Sequence, residues 1–204
     1  MAGNGKNYYS GDGASATDTS VRANSISLCP NGDLYIAGMF HNRILKVDKS
    51  SNVVSTVAGN GGSDGTQKGY GARSQIWQPV AVSVAPNGDV YFTAGQELLK
   101  RDAISGEVRA VRGTAGLTSG AIVASDAGVY VADRSMKTVI LVKPDTGELS
   151  VVAGDGGEAS KIGATAKSTS IGPMDISLDS SGNLYISDEW SRRILKVTCS
   201  TGAV

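Results

Sequence analysis

The chain has 204 residues, and its 19 basic and 19 acidic side chains leave a formal net charge of zero. That balance gives no positive field to hold a polyanion, which argues against nucleic acid as a partner. With 40% apolar residues and 27 glycines in no collagen-like period, the composition excludes a disordered or fibrous chain and points to a core with many turns.

In chain order, residues 25–35 (SISLCPNGDLY) read as an apolar alternation, a tight glycine turn and a second run opening on Tyr35, the pattern of a β-hairpin. A third strand is expected at the end of 35–47 (YIAGMFHNRILKV) and a fourth at 52–59 (NVVSTVAG). The same order recurs at 81–113, opening AVSVAPNGDVY, and at 120–154, opening GAIVASDAGVY. It recurs once more from residue 175 (DISLDSSGNLY) and is cut short at TGAV, 201–204. The repeated tyrosines, Tyr35, Tyr91, Tyr130 and Tyr185, mark a period of roughly 40 to 55 residues, and four antiparallel strands per such period predict propeller blades.

The expected fold is therefore an all-β β-propeller of four four-stranded blades, at about 20–59, 76–113, 118–154 and 170–204, forming a single domain. Residues 1–5 are read as supplying the missing end of the last strand, which would close a four-blade ring and hide its sheet edge. Part of a larger propeller, or a ring completed by association of chains, are the alternatives. The four tyrosines are read as core residues packed between blades. No apolar run approaches the roughly 18 residues needed to cross a bilayer, and MAGNGK at the start does not resemble a secretion signal.

The hairpin ending Gly-(Asn/Asp)-(Leu/Val)-Tyr, the third strand RILKV, and the connectors TVAGNGG (56–62) and VVAGDGG (151–157) resemble NHL repeats over essentially the whole chain. In that family an aspartate follows the tyrosine, an aliphatic and a small residue; Asp133 and Asp188 match, whereas Gly38 and Ala94 depart. The family's Asn-His-Arg is represented loosely by His41-Asn42-Arg43 and by Arg192-Arg193, and the third blade lacks the long glycine-rich connector. The resemblance implies a propeller commonly of six blades, and it extends to propeller lactonases and amidating lyases and to RNA-binding NHL domains.

Alternating strand direction sorts the loops onto two faces. Hairpin turns such as PNGD (30–33 and 86–89) form a plain face. The other face is expected to receive 5–23, 60–79 and 155–173, together with the turns at 39–42, 95–97, 134–137 and 189–192. Aromatics fall in or beside those segments, so Tyr8, Tyr9, Phe40, His41, Tyr70, Trp77, Trp190 and Arg192 are the candidate partner-binding residues. Aromatic rings supply apolar area and stacking planes at little entropic cost, as glycan and peptide sites require.

Candidate chemistry is sparse. His41 is the sole histidine, so a histidine-based zinc site is excluded, and His41 would be the only possible base for a serine or cysteine nucleophile, for which neither cysteine lies in a recognisable motif and the nucleophile-elbow pattern is absent. Asp12, Asp64 and Asp155 sit in Asp-Gly turn dipeptides with no calcium-loop spacing after them. No cofactor and no metal is expected. Cys29 and Cys199 are expected as two separate thiols, because a bridge needs Cα atoms within about 7 Å and their turns differ in radius. The leading expectation is a non-catalytic interaction or scaffold module for a protein or glycan, as part of a larger assembly or a homo-oligomer, with low charge and abundant glycine and serine leaning towards an extracellular setting. A metal-dependent propeller lyase or lactonase is one alternative. An RNA-binding NHL domain, through a cluster at Lys161, Lys167, Arg192 and Arg193, is the other.

Overall fold

The computed structural model describes residues 2–6, 9–63, 69–157 and 165–198. It divides the chain into two compact units, Met1–Val111 and Arg112–Val204. Each unit holds two small antiparallel sheets, and the four together are the four blades expected from the repeats.

In the first unit, β1 (Ser25–Leu28), β2 (Leu34–Gly38), β3 (Arg43–Val47) and β4 (Val54–Ala58) pair in that order. The second sheet orders β5 (Gly69–Tyr70), β9 (Glu107–Ala110), β8 (Glu97–Arg101), β7 (Val90–Ala94) and β6 (Val82–Val84). In the second unit, β10 (Ser119–Ser125), β11 (Gly128–Asp133), β12 (Thr138–Lys143) and β13 (Glu148–Ala153) form one meander, and β14 (Pro173–Leu178), β15 (Leu184–Asp188) and β16 (Arg193–Val197) another.

The hairpins sit where the turn residues put them. In the PNGD turns, Gly32 N–H donates to Cys29 O at 2.8 Å and Gly88 N–H to Ala85 O at 2.9 Å. Both glycines take positive φ, as this turn requires. The aspartate that follows is put to a second use. Asp33 accepts from Lys49 N–H at 3.0 Å and Asp89 from Ala103 N–H at 2.9 Å, so each ties its hairpin to the loop after the third strand. Each also faces a third-strand lysine: Lys46 lies 3.3 Å from Asp33, and Lys100 2.5 Å from Asp89.

The VAG of the connector motifs has a specific cause. Pairing shifts between Ile44/Ala58 and Leu45/Thr56, and again between Val139/Ala153 and Ile140/Val151, so Val57 and Val152 are bulge residues. The glycines behind them, Gly59 and Gly154, have φ of 94° and 95° and turn the chain against the β2–β3 and β11–β12 corners. A Cβ on Gly59 would meet Asn42 O and stand 2.8 Å from Ile76 Cγ1; on Gly154 it would meet Lys137 O and stand 2.8 Å from Thr138 Cα.

The blades of each unit share a core. Ala37, Ile44, Ile76, Val82, Val90, Phe92, Leu99 and Val108 close the first, and Ala132, Val139, Ile171, Ile176, Leu184 and Ile186 the second. The tyrosines depart in part from the expected core role. Tyr91 and Tyr130 are buried, but Tyr35 and Tyr185 are only half-buried. Tyr35, Tyr185 and Tyr91 all face a cross-strand lysine, and the two half-buried rings are those whose lysine reaches solvent: Lys46 and Lys196 are partly or fully exposed, whereas Lys100 opposite Tyr91 is buried.

The long segments also differ from expectation. Residues 13–16 lie along the outer edge of β4, with Gly13 N–H donating to Val54 O at 2.9 Å, Val54 N–H to Ala14 O at 3.0 Å and Ala16 N–H to Asn52 O at 2.8 Å. Part of 60–79 does the same for the second blade, where β5 pairs with β9. The physical reason is the outer strand's row of open N–H and C=O groups, which a passing connector satisfies. The expected pairing of residues 1–5 with the chain end involves 199–204, outside the described residues. Cys199 lies there too, while Cys29 carries a free thiol.

Candidate functional site

The corners between second and third strands recur with one backbone signature. Asn42, Gln96, Lys137 and Arg192 each precede a third strand and have φ between 50° and 64°, a left-handed conformation uncommon for side chains other than glycine. What lies before them differs by blade. Asp133, buried, accepts from Ser135 N–H and Met136 N–H, both at 2.9 Å. Asp188 accepts from Trp190 N–H at 3.1 Å, Gly172 N–H at 2.9 Å and the Ser191 hydroxyl. Burial opposes its ionisation, but the Ser191 and backbone donors outweigh it and hold the carboxyl below its ordinary value. In the first blade Gly38 stands at this place, and a 3-10 turn, Met39–His41, leads into Asn42 instead.

Asn42 organises the first unit's corner. Its Oδ1 accepts from Gln78 N–H at 2.8 Å and its Nδ2 donates to Gly62 O at 3.0 Å. The two bonds join the corner to both ends of the connector, placing Trp77 and Gln78 beside the turn that carries Phe40. Arg43 donates to Asn60 O at 2.8 Å and His41 O at 3.0 Å, with its guanidinium 4.4 Å from the centre of the Tyr9 ring.

The candidates sort themselves by exposure. Phe40 is 62% exposed and carries the exposed Arg22 guanidinium 3.7 Å from its ring centre. Arg22 itself has φ of 33°, so the stacked pair is held on strained backbone. Trp77 is 41% exposed. Tyr9 is half-buried; its ring lies 5.8 Å from that of His41, and its hydroxyl bonds Asp12 and, at 2.9 Å, Thr56. Burial and the Asp12 contact push the Tyr9 hydroxyl up to about 12, so it stays protonated and pins the N-terminal segment to β4. His41, expected to offer a hydrogen bond at the surface, is only 7% exposed because the 3-10 turn folds it inward against Tyr9. Tyr70 is 62% exposed but sits on β5, at the outer edge of the second blade. Tyr8 lies outside the described residues.

In the second unit, Trp190 is half-buried, with the Lys137 ammonium 5.1 Å from its ring centre and its indole edge against Gly172. Arg192 is exposed and lines a shallow cavity of about 390 Å³ with Met174, Ser187, Asp188, Arg193 and Ile194. Both units thus carry an aromatic ring and a cation in contact at a second-to-third-strand corner. Sequence reasoning missed Arg22 and Lys137, the cationic halves of these pairs. Lys137 sits in a corner turn and Arg22 lies before β1, and neither position marks in sequence the ring it meets. Among the described residues no three His, Cys, Asp or Glu side chains gather as a metal-ligand set, and no helix is long and apolar enough to cross a membrane.

No family model and no curated protein matches the sequence. Solved structures do. A nidogen/laminin complex aligns with a TM-score of 0.63 at 14% identity over 84% of this chain and 59% of that one. Hydrazine synthase of Kuenenia stuttgartiensis gives 0.61 at 17% over 96% of this chain and 51% of that one. Virginiamycin B lyase of Staphylococcus aureus gives 0.58 at 15% over 86% and 52%. The chain spans a little over half the length of these matches. At such identities the likeness establishes the β-propeller fold, which serves lyases and binding proteins alike.

Proposed function

We propose that this chain is an NHL-type propeller domain acting as a non-catalytic interaction module, binding a protein or glycan through its second-to-third-strand corners. The exposed Phe40–Arg22 stack carries the reading. Aromatic and arginine side chains dominate the energetics of recognition surfaces, and a stacked pair loses little further freedom when a partner covers it. Trp77 flanks the stack, with Tyr9 and His41 packed behind as its support. Trp190 and Lys137 form the corresponding contact in the second unit, with Arg192 exposed two residues further on, and the likeness to a nidogen/laminin complex supports a protein partner.

The test is selection of ligands from a random peptide display library and a panel of neutral glycans on the whole chain. The selected ligands should bind Phe40→Ala and Arg22→Ala variants at least tenfold more weakly, and Trp190→Ala more weakly as well. Ligands that bind all three variants like the parent refute the corner as the recognition surface.

A further inference from the structure

A second site lies within the first unit and shares no residue with the corner aromatics. A cavity of about 380 Å³ is lined by Tyr35, Lys46, Ser55, Val57 and Arg101, with Gly71 and Ala72 of the connector at its rim. The register of the first sheet builds one wall. Tyr35 pairs with Lys46 and Lys46 with Ser55, so the three stand in a row on one face of β2, β3 and β4. Arg101, the last residue of β8, supplies the other side.

The two cations are in different states. Lys46 is held by Asp33 at 3.3 Å and Asp48 at 3.5 Å, so its charge is answered within the protein. Arg101 pairs with no carboxylate among the described residues. One terminal nitrogen donates to Asp102 O at 3.2 Å, and its Nε is buried with no hydrogen-bond partner. A guanidinium has five donors in a planar fork, and a buried N–H without an acceptor is costly in a finished interior. Arg101 therefore keeps guanidinium donors that no protein acceptor among the described residues takes. The remaining lining completes the chemistry. The Ser55 hydroxyl can donate, and burial raises the Tyr35 hydroxyl, which stays a protonated donor. The Tyr35 ring and Val57 offer apolar surface. Thr56 is already committed to Asp12 and Tyr9.

We propose that this cavity binds a small monocarboxylate, its two oxygens on the Arg101 fork and its apolar body against Tyr35 and Val57. One unanswered positive charge matches a monoanion. A dianionic phosphate would add a charge that Asp33 and Asp48, already close to Lys46, oppose. Planar bidentate pairing is what arginine does best with a carboxylate.

The experiment titrates the whole chain with benzoate, with neutral benzamide and with phenyl phosphate, by calorimetry and by amide resonance shifts. Benzoate should bind, shifting the amides of Ser55, Val57, Gly71 and Ala72, with benzamide and phenyl phosphate each at least tenfold weaker. Arg101→Met should lose benzoate at least tenfold, and Arg101→Lys should keep part of it, because a charge remains without the fork. Should the Met variant not fold, the resonance map of the parent decides. Absence of benzoate binding, shifts confined to other amides, equal binding of benzamide, tighter binding of phenyl phosphate, or a folded Arg101→Met chain that binds benzoate unchanged each overturns the proposal.

Discussion

The repeated Asp–Lys pair offers a sharp test of how burial, rather than sequence, decides the worth of a charge. The motifs around Asp33–Lys46 and Asp89–Lys100 are nearly the same, yet the Asp89 and Lys100 side chains are 5% and 10% exposed, whereas Lys46 is 27% exposed. Replacing Lys100 by Met leaves the Asp89 carboxylate in the interior with only Asn87 and Ala103 N–H, at 2.8 and 2.9 Å, as donors. Stranding one member of a buried pair costs about 3–5 kcal/mol, and because two donors remain the lower end, about 3 kcal/mol, is expected. Lys46→Met leaves Asp33, itself 10% exposed, with donors of the same kind at a site whose lysine stood 27% exposed to solvent, and a smaller cost of about 1 kcal/mol is expected. With a urea slope of about 2 kcal/mol/M, the midpoints should fall by about 1.5 M and about 0.5 M. Trp77 fluorescence reports on the first unit, which holds both pairs. The double variant Asp89→Asn, Lys100→Met should recover much of the loss, since an amide can stay buried uncharged. Equal and small shifts for the two lysine variants would refute the reasoning.

Gly154→Ala should destabilise by about 2–4 kcal/mol in chemical denaturation, from a positive φ and a Cβ forced against Lys137 O and the Thr138 backbone; a midpoint like the parent's would contradict the corner geometry. Hydrogen bonds hold Asp33 (chiefly from Lys49 N–H), Asp102 (from Ser105 N–H) and Asp179 (from Asn183) below the ordinary 3.8. Their contribution is therefore present at neutral pH and lost as pH falls through 3.8 towards the depressed values. A denaturation midpoint that rises between pH 4 and pH 2.5 would reverse that sign. Lys46 and Lys100 titrate above 10.5, because their aspartates outweigh burial, so their contribution persists below 10.5 and fades as pH climbs beyond it. If the four blades act as one domain, calorimetry should show a single unfolding transition, and separate transitions followed at Trp77 and Trp190 would divide it into two.

Much of the fold is legible in the chain because its causes are local. Two-residue alternation, glycine at Gly32, Gly88 and Gly182, and an opening tyrosine recur at fixed offsets, and each acts within a dozen residues of itself. The corner residues are half legible. Phe40 and Trp190 stand out by type, but nothing near Arg22 or Lys137 in sequence says that a ring lies under each.

The repeat alone determined that strands form and where they turn. Tertiary structure decided the rest, through contacts that leave no periodic mark. Residues 13–16 and β5 line outer strands by backbone groups, which every residue possesses, so no side-chain pattern announces them. His41 looks like a surface donor in sequence and is buried only because a 3-10 turn folds it against Tyr9. Arg101 ends an ordinary strand, yet the neighbouring blade's Tyr35, Lys46 and Ser55 wall it into a cavity and leave its Nε buried and unanswered. Burial and charge pairing are properties of packed neighbours, and the neighbours in question are brought together only when the blades meet.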